Sequence, residues 1–382
     1  MKLVFFGSSV PKPALSKKMI SRRLAGSAAA GQREEYLLSV FKECDFEATY
    51  FLSTAFGSNN GPFSTETSTH DKIKYVLLGY IGGNKYLRYI SSMVYALLWI
   101  MRNVKKGDVV VVYNFPIVYA LPLLLKKIFS KYKLTIDFED FYNKNDFRYY
   151  VVYPFESLGI RFAQRFIASS PDMAKHIHMR KKSNDAQVHV NGGYESSANK
   201  TNLKKVNNDY IQLLYSGSLD LTRGVMDLAN AFSSNADERY RLVITGSGPL
   251  EHDINKLCEK DKRIVFKGNL NERDYYEVIG ASDICINSQW ESITINFPSK
   301  VTMYLSSGKY VLSTRHTALK QSLYSDLIDF YDQTSGGLWD KIYGMTRDYT
   351  FSSEEESLRI DTFSSIASQK RVALSGFINS LV

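Results

Sequence analysis

The stretch YSGSLDLTRGVMDLANAF (215–232) decides the fold class, because an apolar strand runs into Gly217, a short polar loop and an amphipathic helix. Apolar residues recur at helical spacing after Arg223 and Gly224, which predicts that the helix begins there. A strand followed directly by a helix is the repeating unit of a parallel sheet. The amides of a helix start beside a guanidinium group also suit a phosphate, although such turns are common without one.

The same strand-to-helix rhythm recurs on both sides of this stretch. After residue 210, apolar runs lie at 211–217, 241–248, 263–268, 283–288 and 310–314. Before it, they lie at 2–6, 46–52, 109–113, 134–138 and 166–169. The polar segment between the two series, 195–209, is typical of a linker. We therefore predict an α/β protein with two doubly wound Rossmann-like domains that face a cleft.

The domain boundaries follow from these two series. We predict an N-terminal domain at 1–194, a linker at 195–209 and a C-terminal domain at 210–365. A last helix at 366–382 is expected to pack back on the N-terminal domain. The length of 382 residues, with 44% apolar and 23% charged content, fits two globular domains.

Cysteine usage and the apolar segments indicate the compartment. Cys44, Cys258 and Cys285 lie far apart without metal-site spacing, which favours a reducing cytoplasm over a disulfide framework. The apolar run in MKLVFFGSSV (1–10) is too short for a signal peptide. The two most apolar segments, 89–101 and 109–125, are poor candidates for membrane spans, because the first is too short and the second contains two prolines. We expect a cytoplasmic protein.

Positive charge is concentrated in the first half of the chain. Residues 1–200 hold 28 Lys and Arg against 16 Asp and Glu, a net charge of +12, whereas residues 201–382 hold 20 against 23. Such a half suits nucleic acid, an anionic membrane or a polyphosphate ligand. Within it, KKIFSKYK (126–133) is typical of either a membrane-surface helix or a solvated helix end.

A lysine stands at an unusual place in QWESITINFPSKVTMYLSSGKYV (289–311). The pattern predicts a helix that opens at Pro298, with Lys300 in its first turn. Positive charge is disfavoured there, because a helix start favours an anion by roughly 0.3–1 kcal/mol. Lys300 is therefore either a solvated side chain that tolerates this cost or a ligand of a bound anion.

The turn ITGSGPLEHDINKLCE (244–259) places Gly246 and Gly248 between a strand and a helix. No third glycine completes a dinucleotide-binding turn, which disfavours an enzyme that uses a nicotinamide cofactor. Both glycines also suit a tight turn without any ligand.

Taken in order, these motifs resemble nucleotide-sugar glycosyltransferases with two Rossmann-like domains (GT-B), in particular the large retaining family of bacterial envelope-polysaccharide enzymes. The similar segments are YSGSLDLTRGV (215–225), YRLVITGSGPL (240–250), IVFKGNLNERDYYEVIGASDICINSQWES (264–292) and FPSKVTMYLSSGKYV (297–311). The first domain is similar more loosely, at AGSAAAGQREEYLLSVF (25–41), ASSPDMAKHI (168–177) and HVNGGY (189–194).

The resemblance implies a glycosyltransferase of the hexosyltransferase type, with its donor in the second domain and its acceptor in the first. By position, it implies that Arg223 and Lys300 hold the donor diphosphate and act in catalysis. Glu291 would hold sugar or ribose hydroxyls and is a third catalytic candidate. The further donor residues that it implies are Gly217, Gly246, Gly248, Asn269, Leu270 and Ser299. Because fixed cations and amides can stabilise the leaving diphosphate, no cofactor and no metal are expected.

One position departs from the family pattern. Related enzymes commonly carry a second glutamate that accepts a ribose hydrogen bond, whereas this chain has Met303, whose thioether is a poor acceptor. Ser299 is a candidate substitute for that contact, or it only caps its helix. The nucleotide therefore stays open, with UDP favoured.

The acceptor side begins with TIDFEDF (135–141), in which Glu139 and Asp140 end a predicted strand. Glu139 lies where related enzymes often have a histidine near the transferred sugar. It would orient the acceptor or act as a general base, and a solvated loop carboxylate is the alternative. A phosphate-bearing acceptor would approach the end of the first strand, where the polar and basic candidates are Ser8, Lys17, Lys18 and Arg22.

These inferences predict transfer of a sugar to a glycan or polyprenyl-diphosphate-linked acceptor in capsule or O-antigen synthesis, with retention. The enzyme would be metal-independent and peripheral on the cytoplasmic face of the inner membrane, docked through its basic N-terminal domain. A nucleotide-sugar epimerase of the same fold and a degenerate, non-catalytic partner subunit are the alternatives. No nucleic-acid partner is expected, since that function would explain the charge but not the motifs of the second domain.

Overall fold

The computed structural model describes residues 1–10, 28–54, 61–141, 147–181, 186–193, 209–290 and 296–381. Contacts divide the chain into two compact units. The first unit comprises Met1–Gly192 and Lys370–Val382, and the second comprises Gly193–Gln369.

The first unit is built on an eight-stranded sheet with the order β3-β4-β2-β1-β5-β6-β7-β8. Its strands are β1 (Lys2–Phe6), β2 (Ala48–Thr54), β3 (Glu66–His70), β4 (Ile73–Leu78), β5 (Val109–Tyr113), β6 (Lys133–Phe138), β7 (Arg165–Ala168) and β8 (Gln187–Val190). All neighbouring strands are parallel except β3 and β4. The described helices between them are α1 (Ala28–Phe41), α2 (Lys85–Asn103), α3 (Ile117–Phe129), α4 (Phe147–Phe162) and α5 (Pro171–Lys181).

Helices cover both faces of this sheet. Because successive residues of a strand point to opposite sides, two neighbouring residues of β1 contact different helices. Phe5 of β1 packs edge-on against Phe41 of α1, with ring centroids 5.4 Å apart. Its neighbour Phe6 contacts Tyr119 of α3 at 5.0 Å and Trp99 of α2 at 6.4 Å. The continuous apolar runs of the central strands are therefore buried on both faces, as in other parallel sheets.

One hairpin of the first unit has no counterpart among the predicted strands. β3 and β4 pair antiparallel across a turn at Asp71 and Lys72, whose φ angles of 55° and 68° are left-handed. The β3 sequence, ETSTH, is polar and largely exposed at the sheet edge. It therefore lacks the apolar pattern on which the strand predictions rested. The strands β4 (IKYVLL), β8 (QVHV) and, in the second unit, β14 (Ile328–Tyr331) were also not predicted.

The second unit is a six-stranded parallel sheet with the order β11-β10-β9-β12-β13-β14. Its strands are β9 (Ile211–Ser216), β10 (Tyr240–Thr245), β11 (Ile264–Phe266), β12 (Ile284–Asn287), β13 (Tyr310–Thr314) and β14 (Ile328–Tyr331). Its helices are α6 (Val225–Ser233), α7 (Glu251–Lys260), α8 (Glu272–Ala281), α9 (Lys300–Ser306), α10 (Thr317–Lys320) and α11 (Ser335–Asp348). The inward-facing residues of its central strands form the core, for example Leu213, Tyr215, Leu242 and Ile244.

Both sheets reverse their direction of growth at a topological switch point. The chain first adds strands on one side of β1 and of β9, and then crosses over to β5 and to β12. The predicted α/β class with two doubly wound sheets is thereby confirmed. In such sheets, ligands bind outside the carboxyl ends of the strands at the switch point.

The last helix, α12 (Ser353–Asn379), begins well before the predicted residue 366. Its residues from Lys370 onward belong to the first unit. There Arg371 pairs with Glu43 at 2.6 Å, and Arg165 donates a hydrogen bond to the Phe377 carbonyl at 3.2 Å. Among the helices that the structure describes, none is long and apolar enough to cross a bilayer.

Candidate active site

The loops at the carboxyl ends of β9 and β12 meet around Arg223. A short 3₁₀ turn, Leu221–Arg223, begins where the Asp220 side chain accepts a hydrogen bond from the Thr222 amide at 2.9 Å. Arg223 Nη1 then donates to Gln289 Oε1 at 2.6 Å, and Ser288 Oγ donates to the Arg223 carbonyl at 2.9 Å. These contacts hold the guanidinium group at the switch point between β9 and β12.

Lys300 is partly buried and lies within the field of this guanidinium group. Its Nζ is 4.2 Å from the centroid of the ring of Tyr215, a residue near the end of β9. Burial, followed by the charge of Arg223, lowers the Lys300 pKa to about 7, although Asp220 acts in the opposite direction. This partial burial disfavours the alternative of a fully solvated lysine, and the role of Lys300 as a ligand of an anion stays a prediction. Part of the Lys300 population is uncharged at neutral pH until an anion arrives.

The helix of Lys300 is also shorter than predicted. It begins at Lys300 and not at Pro298, and it has 7 residues. Ser299 precedes it with helical backbone angles and makes no side-chain capping hydrogen bond, so the interpretation of Ser299 as a plain cap is wrong. Hydrogen bonds from Val301 to the Pro298 carbonyl and from Thr302 to the Ser299 carbonyl form the turn before it.

Arg223 and Lys300 form a pair of like charges. Among the described residues, no carboxylate lies within the 4.0 Å ion-pair distance of either cation. The field of Arg223 disfavours the proton on Lys300. An anion placed between them would relieve this repulsion and restore the Lys300 charge. The pair is therefore suited to a phosphate or diphosphate group.

The glycines of this region allow two loops to pack closely. At Gly246, with φ of 132°, a Cβ atom would lie 1.8 Å from the Gly217 carbonyl oxygen, and at Gly248 it would lie 2.5 Å from the Leu219 carbonyl oxygen. These contacts are a structural reason for glycine at both positions. Gly217 has a φ of 141°, and a Cβ atom added there would lie 3.8 Å from Lys300 Nζ. The glycine therefore leaves space beside the ammonium group. Close approach of a ligand at these glycines stays a prediction.

The next loop contains Asn269 and Leu270, between β11 and α8. It is joined to the glycine loop where the Gly246 amide donates to the Gly268 carbonyl at 2.8 Å. Asn269 is exposed and Leu270 packs partly against the core, so the backbone of this loop borders the site. Their predicted contact with a nucleotide base is not tested by these contacts.

Two positions near Lys300 were singled out for ribose or sugar contacts. Glu291 lies outside the described residues, within 291–295. Met303 is 8% exposed, on the side of α9 that packs into the unit. A methionine at a buried position is a normal core residue, and this packing accounts for Met303 without a ligand.

Sequence reasoning missed the residues that support the two cations. Gln289, which is 1% exposed, accepts from Arg223, and its carbonyl accepts from Thr314 Oγ1 at 2.6 Å. At the end of β9, next to Tyr215, Ser216 Oγ shares hydrogen bonds with the hydroxyl groups of Tyr304 at 2.6 Å and Tyr275 at 2.8 Å. Their place in the sequence could have identified them, because Ser216 ends β9 and Gln289 follows the end of the adjacent strand β12.

In the first unit, Glu139 belongs to a buried charge cluster at the end of β6. Arg33 of α1 is fully buried and binds both carboxylate oxygens of Asp137, at 2.8 and 3.3 Å. It also lies 3.6 Å from Glu139 Oε1 and donates to the Asn191 carbonyl at 2.8 Å. The interpretation of Glu139 as a solvated loop carboxylate is therefore wrong.

The protonation of this cluster follows from its burial. Burial raises the Glu139 pKa to about 8, because it outweighs the favourable field of Arg33. Burial, followed by the field of Arg33, lowers the pKa of Lys370 to about 7, and the Lys370 ammonium group donates to the Gly192 carbonyl. At neutral pH, Glu139 is therefore mainly protonated and can donate a hydrogen bond.

The other acceptor-side candidates are only partly described. Asp140 is exposed beside Glu139, and both amides donate to Asn114 Oδ1, at 3.2 and 2.7 Å. Ser8 donates to the buried carboxylate of Glu34 through its amide at 2.5 Å and its hydroxyl at 3.0 Å. Lys17, Lys18 and Arg22 lie outside the described residues, within 11–27.

Comparisons with known proteins concern the second unit and the fold of the whole chain. Residues 210–327 match the family model of glycosyl transferases group 1. No curated protein matches the chain by sequence. Similar solved structures include sucrose-phosphate synthase from Thermosynechococcus elongatus, which is 13% identical with a TM-score of 0.70 and covers 100% of this chain and 98% of its own.

Two further similar structures contain uridine nucleotides. HepE from Anabaena in complex with UDP is 14% identical with a TM-score of 0.62, over 98% of this chain and 100% of its own. The E. coli trehalose-6-phosphate structure bound with UDP-2-fluoro glucose is 9% identical with a TM-score of 0.68, and the match covers 100% of this chain and 99% of its own. At these identities, the likeness establishes the fold.

Proposed function

We propose that this chain, whose residues 210–327 match the family model of glycosyl transferases group 1, is a glycosyltransferase of the GT-B fold, and we propose its donor and its acceptor. The donor is a nucleoside-diphosphate sugar, and UDP-sugars come first. The acceptor is a glycan or a polyprenyl-diphosphate-linked sugar of cell-envelope polysaccharide synthesis. The enzyme acts on the cytoplasmic face of the inner membrane and retains the anomeric configuration.

The pair of Arg223 and Lys300 carries the donor proposal. The reaction breaks the bond between the anomeric carbon and a diphosphate oxygen, so negative charge grows on the leaving nucleoside diphosphate. Arg223 can bind phosphate oxygens in parallel through two N–H groups, and Lys300 adds a point charge from the other side. Fixed cations that meet developing charge lower the barrier, and we propose that they do so here without a metal.

One observation favours UDP. HepE and the E. coli protein are both described as complexes with uridine diphosphate compounds. The loop at Asn269 and Leu270 offers backbone amide and carbonyl groups that suit the hydrogen-bonding edge of any base.

Glu139 supports transfer with retention. A general base must be unprotonated, and the pKa of about 8 leaves Glu139 mainly protonated at neutral pH. We propose that its carboxyl group orients the acceptor or the transferred sugar by a hydrogen bond. An inverted product, identified from the anomeric coupling constant by NMR, would instead assign Glu139 as the base.

A thermal-shift screen over UDP-, GDP- and CDP-sugars tests the proposed donor. One nucleotide class, expected to be UDP, should raise the melting temperature, because a ligand that binds only the folded state stabilises it by mass action. A raised melting temperature with UDP but not with uridine would attribute the effect to the diphosphate. If no sugar nucleotide changed the melting temperature at millimolar concentration, the donor proposal would be wrong.

Donor affinity should fall as the pH rises through 7. Lys300 must be protonated to bind the diphosphate, and its pKa in the free enzyme is about 7. The dissociation constant of a UDP-sugar should therefore rise roughly fivefold from about pH 7 to about pH 8. Lys300→Arg carries a permanent charge and should remove this dependence. Titration calorimetry at several pH values measures it, and a wild-type affinity that stays constant would contradict the role of Lys300.

A further inference from the structure

Helix α2 of the first unit turns its large aliphatic residues away from the protein. The side chains concerned are 40–55% exposed and recur at intervals of three and four residues, which places them on one face: Leu87, Ile90, Val94, Leu98 and Met101. The side toward the protein is smaller or polar, with Ser91, Ser92 and Ala96 buried alongside Ile100. This is the reverse of a usual surface helix, whose apolar face packs on the core.

The neighbouring helix extends this surface. On α3, Leu121 and Leu125 are each 38% exposed, and Ile128 and Phe129 are each 73% exposed. Lys126 of α3 donates to the Met101 carbonyl of α2 at 3.0 Å, so the carboxyl ends of the two helices lie together. The exposed aliphatic and aromatic residues of α2 and α3 therefore form one continuous surface.

Positive charge borders this surface. Residues 81–133 contain nine Lys and Arg but a single acidic residue, Asp108. Asp108 is buried, and its carboxylate accepts from the backbone amides of Lys2 and Lys105. Four cations are exposed near the carboxyl ends of α2 and α3, without a carboxylate partner in the described part of the chain: Arg102, Lys105, Lys106 and Lys131. We call these cations and the apolar side chains of α2 and α3 the apolar–basic face.

We propose that the apolar–basic face docks the first unit on an anionic lipid bilayer. The two helices would lie in the plane of the interface, with their aliphatic side chains at the level of the acyl chains. The cations would meet lipid phosphate groups, each contributing an attraction that depends on salt. Neither helix is among those that could cross a membrane, since the described residues contain no such helix. The contact is therefore one of surface docking.

The charge of the face selects lipid over a second copy of the chain. A symmetric dimer through this face would bring two sets of unpaired cations together, which costs energy. An anionic bilayer offers phosphate groups to the cations, and acyl chains directly beneath them to the aliphatic side chains. Docking would supply the membrane location that a polyprenyl-linked acceptor requires, but it does not depend on which nucleotide the second unit binds.

Flotation of the full chain with lipid vesicles tests the proposal. The wild type should float with vesicles that contain phosphatidylglycerol and stay unbound with pure phosphatidylcholine. Ile90→Gln/Val94→Gln/Leu98→Gln should lower the partition coefficient roughly 100-fold, because three aliphatic side chains no longer enter the interface. Lys105→Gln/Lys106→Gln should lower it about 30-fold, and high salt should reproduce this loss for the wild type.

Matched variants control for exposure and charge elsewhere. Leu358→Gln/Val372→Gln removes two apolar side chains that are 67% and 72% exposed on α12, and Lys256→Gln/Lys260→Gln removes two exposed lysines of α7. Both controls should float like the wild type. The thermal shift with a UDP-sugar should be the same in all four variants, which confirms that they are folded and separates docking from donor binding.

Three results would overturn the docking surface. Wild-type protein that never floats with anionic vesicles would exclude it. Equal flotation of the wild type, the triple variant and the lysine variant would place membrane contact elsewhere. A concentration-dependent dimer in sedimentation velocity that the triple variant abolishes, without vesicle binding, would assign the face to self-association.

Discussion

Arg223→Ala and Lys300→Ala should each reduce kcat/KM for the donor by roughly 100- to 1,000-fold, the usual loss when one preorganised group that meets developing charge is removed. Both cations meet the same diphosphate in the proposed complex, so the double variant should lose less than the product of the single losses. The rate to measure is UDP release from the sugar nucleotide that gives the largest thermal shift. Lys300→Arg should retain most activity, because the charge is kept.

Matched substitutions separate the site from general charge effects. Arg273→Ala removes a guanidinium group that is exposed on α8, and Lys256→Ala removes an exposed lysine of α7. Both should change kcat/KM by less than about twofold, since surface charges contribute little. Because Arg223 also holds Gln289, circular dichroism should accompany the assay. Full activity in Arg223→Ala and Lys300→Ala would remove both residues from the mechanism.

Arg33→Met should lower the free energy of unfolding of the first unit by about 3–5 kcal/mol, because it leaves the buried Asp137 carboxylate without its cationic partner. Asp137 is fully buried, and its two carboxylate oxygens accept hydrogen bonds from Arg33. Glu139 Oε1 lies 3.6 Å from Arg33 Nε. Hydrogen exchange in peptides of α1 and β6 measures this loss locally, without the assumption that both units unfold together.

A second substitution distinguishes the buried charge from lost packing. Arg33→Met/Asp137→Leu replaces the pair by apolar groups and should recover a large part of the stability, as other buried pairs do. Arg371→Met breaks a partly exposed pair with Glu43 and should cost less than about 1 kcal/mol. An Arg33→Met protein as stable as the wild type would show that the cluster does not stabilise the first unit.

The second unit could be predicted closely from the sequence because its signals are local. Each buried strand there is a short apolar run, and Gly217, Gly246 and Gly268 follow three of them at turns with positive φ. Such residues determine the strand and the turn that lie within a few positions of them in the sequence. Arg223 and Lys300 were found in the same way, from their place after a strand and before a helix.

Other features depend on contacts that are remote in sequence. Arg33 reaches Asp137 over 104 residues and the Asn191 carbonyl over 158, so its burial cannot be read from the pattern of α1. The protonation of Lys300 likewise depends on burial and on the charges of Arg223 and Asp220, which lie far upstream in the chain. The outward aliphatic face of α2 was not predicted from the sequence. Periodicity reports that a helix has an apolar face but not what covers it.

Calorimetric titration with UDP tests the central claim most directly, since it asks whether a diphosphate binds between Arg223 and Lys300 without requiring a known acceptor. The wild type should bind UDP saturably near neutral pH and take up protons, because the Lys300 pKa of about 7 rises when the anion arrives. Arg223→Ala/Lys300→Ala should bind at least roughly 100-fold more weakly. Equal UDP affinity in the wild type and the double variant, or no saturable binding of UDP, GDP or CDP by the wild type, would contradict the proposed site.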